Sequence, residues 1–160
     1  MTEQRADPAA VARAARRLTS IVQDVYPRLH ALPEAAALEC PLEMRWCRKE
    51  ILGHLIDSAA NNHHRFVRAQ AAARMQFPPY QQDYWVAAQG YRERPWLELV
   101  ELWRLYNQHL AHVMDRVPGE SLGNECTVSP DEPSTLAHHM VDYVRHLEHH
   151  LGQIVAVSRS

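Results

Sequence analysis

The chain has 160 residues, a length that suits one domain with a single core, and 46% of its residues are hydrophobic. Its net charge of −2, with histidine neutral, disfavours a nucleic-acid partner, since nucleic-acid-binding proteins usually have a basic excess. The sequence has no apolar run long enough to span a bilayer and no apolar signal segment, so we expect no membrane partner. The three cysteines are odd in number, which favours a reduced, cytoplasmic location.

Four stretches of the sequence have apolar residues spaced by three and four positions, the pattern of amphipathic helices. The first begins at Asp7 and Pro8, a cap followed by proline at the first helical position, and Pro27 is expected to kink or end it near its last turn. The other three run from about Trp46 to Arg74, from Pro95 to the residue before Pro118, and from about Ser134 onwards. No segment reads well as a strand and only five glycines are present, so we predict an all-α protein.

The four helices predict an antiparallel four-helix bundle, and we expect it to form one domain over residues 1–160. The longest connection, residues 76–94, is rich in aromatic residues and is therefore expected to pack against the bundle. Tyr84 and Trp85 in this connection are candidates for a lid, with ordinary packing as the alternative. The charged residues of the second helix, Lys49 among them, are expected to face solvent.

Histidine is abundant, with 11 residues, and its positions suggest a metal site. His54 lies beside the apolar stripe of the second helix, so it should point inward, although a lone inward histidine is usually a hydrogen-bonded core residue. In the fourth helix His146 and His150 are four apart and stand on one face, where two imidazoles can bind one metal ion. His149 lies roughly 100° further round the helix and is expected to be solvated.

The remaining histidines are weaker candidates. His139 is a poorer ligand by its position, and five others have no partner of comparable quality: His63, His64, His109, His112 and His138. The sequence lacks H-E-x-x-H and has no Glu followed three residues later by His, which excludes that protease class and the di-iron bundles. One histidine from the second helix and a pair from the fourth remain, which favours a three-histidine site for a single metal ion.

Two segments resemble the motifs of a known family. The segment from Trp46 to Asn62, WCRKEILGHLIDSAANN, resembles the second helix of DinB-like proteins, and in particular of the YfiT-like branch, whose members are described as metal-dependent hydrolases. The segment from Tyr143 to Ile154, YVRHLEHHLGQI, resembles the fourth-helix motif of that family. The resemblance implies a four-helix bundle, often a homodimer, with a divalent metal ion, zinc or nickel, held by three histidines. Matched position by position, these ligands are His54, His146 and His150.

The resemblance also implies a small-molecule substrate, which in the better understood relatives is processed with a low-molecular-weight thiol. An enzyme, whether a hydrolase or a thiol-dependent transferase, therefore competes with a non-catalytic metal-binding structural dimer and, less favoured, with a metal-free helical module. A catalytic site keeps an open position, and no fourth ligand is evident beside the histidine pair. Since ligating histidines must be neutral, metal affinity is expected to fall as the pH drops through roughly 6.5.

Two further expectations concern neighbouring residues. Family members commonly have Ser or Thr after the tryptophan, whereas this chain has Cys47, a poor capping acceptor, with Glu50 retained from the capping box. Three polar side chains are candidates to support the ligands, with a solvated face or a helix-to-helix hydrogen bond as the alternative: Asp57, Asn61 and Gln153.

Overall fold

Helices dominate the protein in a computed structural model, which describes residues 7–41, 45–129 and 132–155. The described residues form six α-helices, numbered in chain order: α1 (Pro8–Ala31), α2 (Glu34–Ala37), α3 (Arg48–Arg68), α4 (Gln82–Gln89), α5 (Trp96–Arg116) and α6 (Leu136–Leu151). They also form three short strands: β1 (Arg74–Phe77), β2 (Glu125–Val128) and β3 (Ser134–Thr135). None of the described helices is long and apolar enough to cross a membrane.

The start of α1 follows from its sequence. The Asp7 carboxylate accepts a hydrogen bond from the Ala9 amide at 2.9 Å, and Pro8 occupies the first helical position, where its missing N–H costs nothing. The helix continues past Pro27 to Ala31, so the proline does not end it. Burial of Val25 and Leu29 on either side of the proline holds this last turn against the core.

The four long helices surround one apolar core. Helix α1 packs against α5 and α6, and α3 packs against the same two helices, so each long helix has two long neighbours. The apolar stripes predicted for these helices are buried, with Trp96 and Trp103 of α5 almost fully enclosed. The Trp96 indole donates a hydrogen bond to the Leu29 carbonyl at 2.8 Å, which fixes α5 against the end of α1. The predominantly helical fold is thus confirmed.

The prediction that the protein has no strands is wrong. Strand β1 pairs in parallel with β2, from Arg74 opposite Glu125 to Phe77 opposite Val128, and β3 pairs antiparallel with β2. The second helix consequently ends at Arg68 rather than Arg74. Strands of two to four residues show too few alternating positions for a sequence pattern to reveal them, and this sheet forms through pairing between distant segments.

The connection from residue 76 to residue 94 is packed, as predicted, and contains α4. Its Tyr84 is 68% exposed, whereas Trp85 packs against Tyr80 with ring centroids 5.3 Å apart. Lys49 was expected to face solvent but is only 2% exposed. It is paired with Glu34 and donates to the backbone carbonyls of Arg92 and Arg94, so it ties both connections to the start of α3.

Candidate metal centre

The three histidines singled out by sequence lie together between α3 and α6. His54 comes from the middle of α3 and is fully buried, while His146 and His150 come from successive turns of α6 and are half-buried. Their candidate ligand nitrogens all lie within 4.8 Å of one another. Since α3 and α6 pack face to face, the i,i+4 pair on α6 is presented directly to His54.

The separations between the imidazoles fit a single ion. The Nε2 atoms of His54 and His146 are 3.3 Å apart, and two nitrogens bound tetrahedrally at 2.0–2.1 Å from one zinc ion are about 3.3–3.4 Å apart. The ring centroid of His54 lies 5.2 Å from that of His146 and 4.9 Å from that of His150. These spacings allow the three rings to point at one small volume.

Burial keeps these imidazoles neutral. Removal from water, together with the like charges of the neighbouring His146 and His150, lowers the pKa of His54 to about 3. Burial likewise lowers the pKa of His146 to about 4, and it also lowers the pKa of His150. A neutral imidazole has a free lone pair, so near neutral pH the cluster offers nitrogen ligands without first releasing protons.

Two contacts orient the rings. The Nδ1–H of His150 donates to the side-chain oxygen of Gln153 at 2.8 Å, because an amide oxygen can only accept, and this leaves the His150 Nε2 free for a metal. The Trp46 ring packs against His54 with centroids 5.0 Å apart. The Nδ1 of His54 is buried and has no hydrogen-bond partner among the described residues.

Of the three supporting candidates named from sequence, only Gln153 hydrogen-bonds a histidine of the cluster in the described part of the chain. Asp57 accepts hydrogen bonds from the Tyr91 hydroxyl at 2.6 Å and from the Gln89 amide at 2.7 Å. Asn61 donates to the backbone carbonyl of Asp57 at 2.9 Å. Asp57 and Asn61 therefore hold α3 and the turn after α4 rather than the imidazoles.

The other histidines divide into three environments. His149 is exposed, as predicted. His139 donates its Nε2–H to the Cys126 carbonyl at 2.9 Å, which joins α6 to β2. His63 meets Tyr106 and His109 of α5, a neighbourhood that the sequence did not reveal because it depends on how α3 and α5 face each other.

A cavity of about 150 Å³ adjoins the cluster. His146 lines it together with polar and aromatic side chains from α3, α6, the start of α4 and the segment before it: Ser58, Asn62, Arg65, Tyr80, Gln82, His139, Asp142 and Tyr143. Because the Nε2 of His139 is engaged with a carbonyl, its Nδ1 has the free lone pair, and burial lowers its pKa. The cavity thus places a neutral, tautomerically fixed imidazole in the same space as His146.

Comparison with known proteins agrees with this architecture. No curated protein matches the chain. One similar solved structure is YfiT from Bacillus subtilis, described as a probable metal-dependent hydrolase with an unusual four-helix bundle topology; it has a TM-score of 0.76 and 15% identity over 90% of this chain and 83% of that chain. Another is the mycothiol-dependent maleylpyruvate isomerase, with a TM-score of 0.76 and 15% identity over 99% of this chain and 65% of that chain.

At these identities the two structures show a shared fold, and the chain spans just under two thirds of the isomerase. The family itself is shown by the sequence profile of the DinB superfamily, which matches residues 13–154. The match includes both helices that supply the three-histidine cluster, as the resemblance of the two motifs led us to expect. The chain therefore belongs to the DinB superfamily.

Proposed function

We propose that this protein is a metal-dependent enzyme that acts on a small molecule, with a divalent ion held by His54, His146 and His150. The observation that supports the proposal most directly is the convergence of three neutral imidazoles from two helices beside a polar cavity that shares His146. Imidazole ligands suit zinc and nickel among the divalent ions. The function proposed for YfiT, a metal-dependent hydrolase with the same fold, is consistent with this reading.

The donor set favours catalysis over a purely structural ion. Structural zinc sites are closed by four protein ligands, whereas catalytic sites have three and keep one position open. Among the described residues, no cysteine, aspartate or glutamate joins the three histidines. A divalent ion with an open position supplies Lewis acidity to whatever small molecule occupies it.

The residues of the cavity would bind and orient that molecule. The hydroxyl of Ser58 and the side-chain oxygen of Asn62, whose nitrogen already donates to Ser58, can hydrogen-bond such a molecule. The His139 Nδ1 can accept a proton from a water or a thiol in the cavity. Such an acceptor would assist both hydrolysis and thiol-dependent transfer. The isomerase among the similar structures depends on a thiol, mycothiol, which makes a low-molecular-weight thiol the second candidate reactant.

Cobalt substitution followed by thiol titration tests the proposal. We expect the cobalt protein to have a visible spectrum that changes when a ligand enters the open position. A sulfur-to-cobalt charge-transfer band on addition of a small thiol supports thiol-dependent transfer, and a pH-dependent change without a thiol response supports hydrolysis. A spectrum that is indifferent to thiols, small anions and pH contradicts the enzyme and supports a non-catalytic structural site.

Substitution of single histidines tests the ligand assignment. We expect metal binding to weaken by more than about tenfold in each of three variants, His54→Ala, His146→Ala and His150→Ala. Loss of a residue that merely orients a ligand already weakens binding by about 10–100-fold. His149→Ala is the matched control, because this histidine is adjacent to His150 but exposed. Equal metal content in the His149→Ala and His150→Ala proteins, both near wild type, would contradict the assignment.

We also infer that the four long helices form an antiparallel bundle within one domain over residues 1–160, as their mutual packing supports. Homodimer formation, which the family resemblance suggests, is proposed on that ground alone. Sedimentation equilibrium of the purified protein gives the oligomeric state directly, and a monomer over the whole concentration range would contradict the dimer.

A further inference from the structure

We propose that His63 of α3 and His109 of α5 form a second, weaker site for a divalent transition-metal ion. Their ring centroids are 5.1 Å apart. Within the three-histidine cluster the centroids of His54 and His146 are 5.2 Å apart, so the two pairs have the same spacing. Two imidazoles at this separation can converge on one ion, since each ligating nitrogen stands about 2.0–2.1 Å from it.

Tyr106 prepares His63 for this role. The Tyr106 hydroxyl lies 3.1 Å from the Nδ1 of His63. When Nδ1–H donates to the hydroxyl oxygen, the bond fixes the ring orientation and leaves the lone pair on Nε2, which is then the available ligand, as supporting partners do for histidines in metal sites. Burial and the nearby His109 and His64 lower the pKa of His63, so the ring is neutral near neutral pH.

The surroundings are accessible to an ion. A surface cavity of about 350 Å³ is lined by His63, His64, Val67, Arg68 and Tyr106. Among the described residues that line this cavity, Arg68 is the fixed cation, and its guanidinium lies over the Phe77 ring at 5.4 Å. His109 is exposed, so water can complete the coordination of an ion held by two imidazoles.

This site is independent of the three-histidine cluster. His63 follows His54 by nine positions, which places it about 13 Å along α3 and about half a turn round its axis. One site therefore faces α6 and the other faces α5. With two protein ligands rather than three, the second site is expected to bind zinc, copper(II) or nickel more weakly than the first.

Calorimetric titration of the full chain with Zn²⁺ tests the second site. We expect wild type to bind two equivalents, and His63→Gln and His109→Gln each to weaken the second by at least about tenfold. His112→Gln is the matched control, because His112 is also exposed on α5 but lies 6.3 Å from His109 in a stacked arrangement. Tyr106→Phe should weaken the same equivalent by about tenfold while both histidines remain.

His54→Ala separates this proposal from the proposed function. It should abolish the tighter zinc binding and leave the weaker zinc binding in place. Zinc binding that persists in His54→Ala and is lost in His109→Gln supports the second site, whatever the result at the three-histidine cluster. The proposal is overturned if no bound equivalent depends on both His63 and His109, or if His112→Gln weakens it as much as His109→Gln. Since His109 is exposed, its substitution should leave the fold intact, and if His63→Gln unfolds, Tyr106→Phe takes its place as the test of the His63 contribution.

Discussion

A tyrosine ring occupies the space beside Gly53, the residue directly before His54. A Cβ built on Gly53 would lie 2.1 Å from the Cδ2 of Tyr91, closer than two carbon atoms can approach. The Tyr91 hydroxyl in turn donates to Asp57, one turn further along α3. Glycine at position 53 therefore lets the Tyr91 ring approach α3 closely, directly beside the residue that precedes His54.

Gly53→Ala is expected to destabilise the protein. Overpacking of a dense core costs about 1–3 kcal/mol, and three Tyr91 ring atoms within 2.5 Å of the new Cβ place this case in the upper part of that range. The cost then exceeds the gain of about 1 kcal/mol from replacing glycine by alanine within a helix. Gly119→Ala is the control, because nothing lies within 4 Å of a Cβ there. Thermal unfolding of the two variants decides the matter: a Gly53→Ala protein as stable as wild type would show that Tyr91 moves away without loss.

Gln153 acts on the candidate metal site through His150. Gln153→Leu removes the acceptor for the Nδ1–H of His150, so the ring loses its fixed tautomer and orientation. Metal affinity should fall by about 10–100-fold, the usual effect of losing a partner that orients a ligand. Competition with a chelator measures this, and Gln70→Leu, which removes a bond to the Phe66 carbonyl near the end of α3, should leave the affinity unchanged.

At the scale of the helix, the start of α3 has an unusual cap. Cys47 is the N-cap residue and is fully buried. The Glu50 carboxylate accepts from the Cys47 amide at 2.9 Å and the Cys47 sulfur accepts from the Glu50 amide, so both halves of a capping box are present. Sulfur is a weak acceptor for the amides of the first turn. The burial of the thiol explains how cysteine is kept at a position where serine or threonine caps better.

A comparison of Cys47→Ser with Cys47→Ala isolates the cap. Both variants lose the buried thiol, but only serine has a hydroxyl that accepts from the Glu50 amide. The serine protein should therefore be more stable than the alanine protein by about 0.5–2 kcal/mol, the usual value of an N-cap. Denaturant unfolding at a fixed metal load is the measurement, and two variants of equal stability would mean that the position does not cap α3.

The elements differ in how far sequence predicts them. The long stripes of α5 and α6 repeat over many turns, so periodicity alone places these helices, and the i,i+4 spacing of His146 and His150 likewise places them on one face. The parallel pairing of β1 with β2 joins segments that are distant in the chain, and no local pattern encodes it. The burial of Lys49 depends on two carbonyls from another connection, for the same reason.

For the molecule as a whole, buried histidines couple folding to pH. Burial lowers the pKa of His54 to about 3 and that of His146 to about 4, whereas an unfolded histidine has a pKa of about 6.5. Between these values the unfolded chain binds more protons than the folded one, so the metal-free protein loses stability as the pH falls from about 6.5 toward the folded values.

The same pKa values change the expectation for the metal. Proton competition at an ordinary histidine would weaken binding as the pH falls through about 6.5. Because burial already excludes protons from His54 and His146, the loss of affinity caused by ligand protonation is expected at a lower pH. Zinc at 100 times its Kd, which stabilises a folded protein by about 2.7 kcal/mol, should therefore still raise the unfolding midpoint at about pH 5.5.

Substitution of one buried histidine should reduce the pH dependence of the metal-free protein. Each histidine that stays neutral in the folded state costs about 1–2 kcal/mol of stability at about pH 5 relative to about pH 7.5, because the unfolded chain gains a proton there. His146→Asn removes one such residue, so its stability should drop less between these two pH values than that of wild type. His149→Asn, at an exposed position on the next turn, should leave the drop as in wild type.

Denaturant unfolding in the presence of a chelator, at both pH values for all three proteins, gives the differences directly. An identical drop in all three would mean that protonation elsewhere in the chain determines the acid sensitivity and that His146 does not.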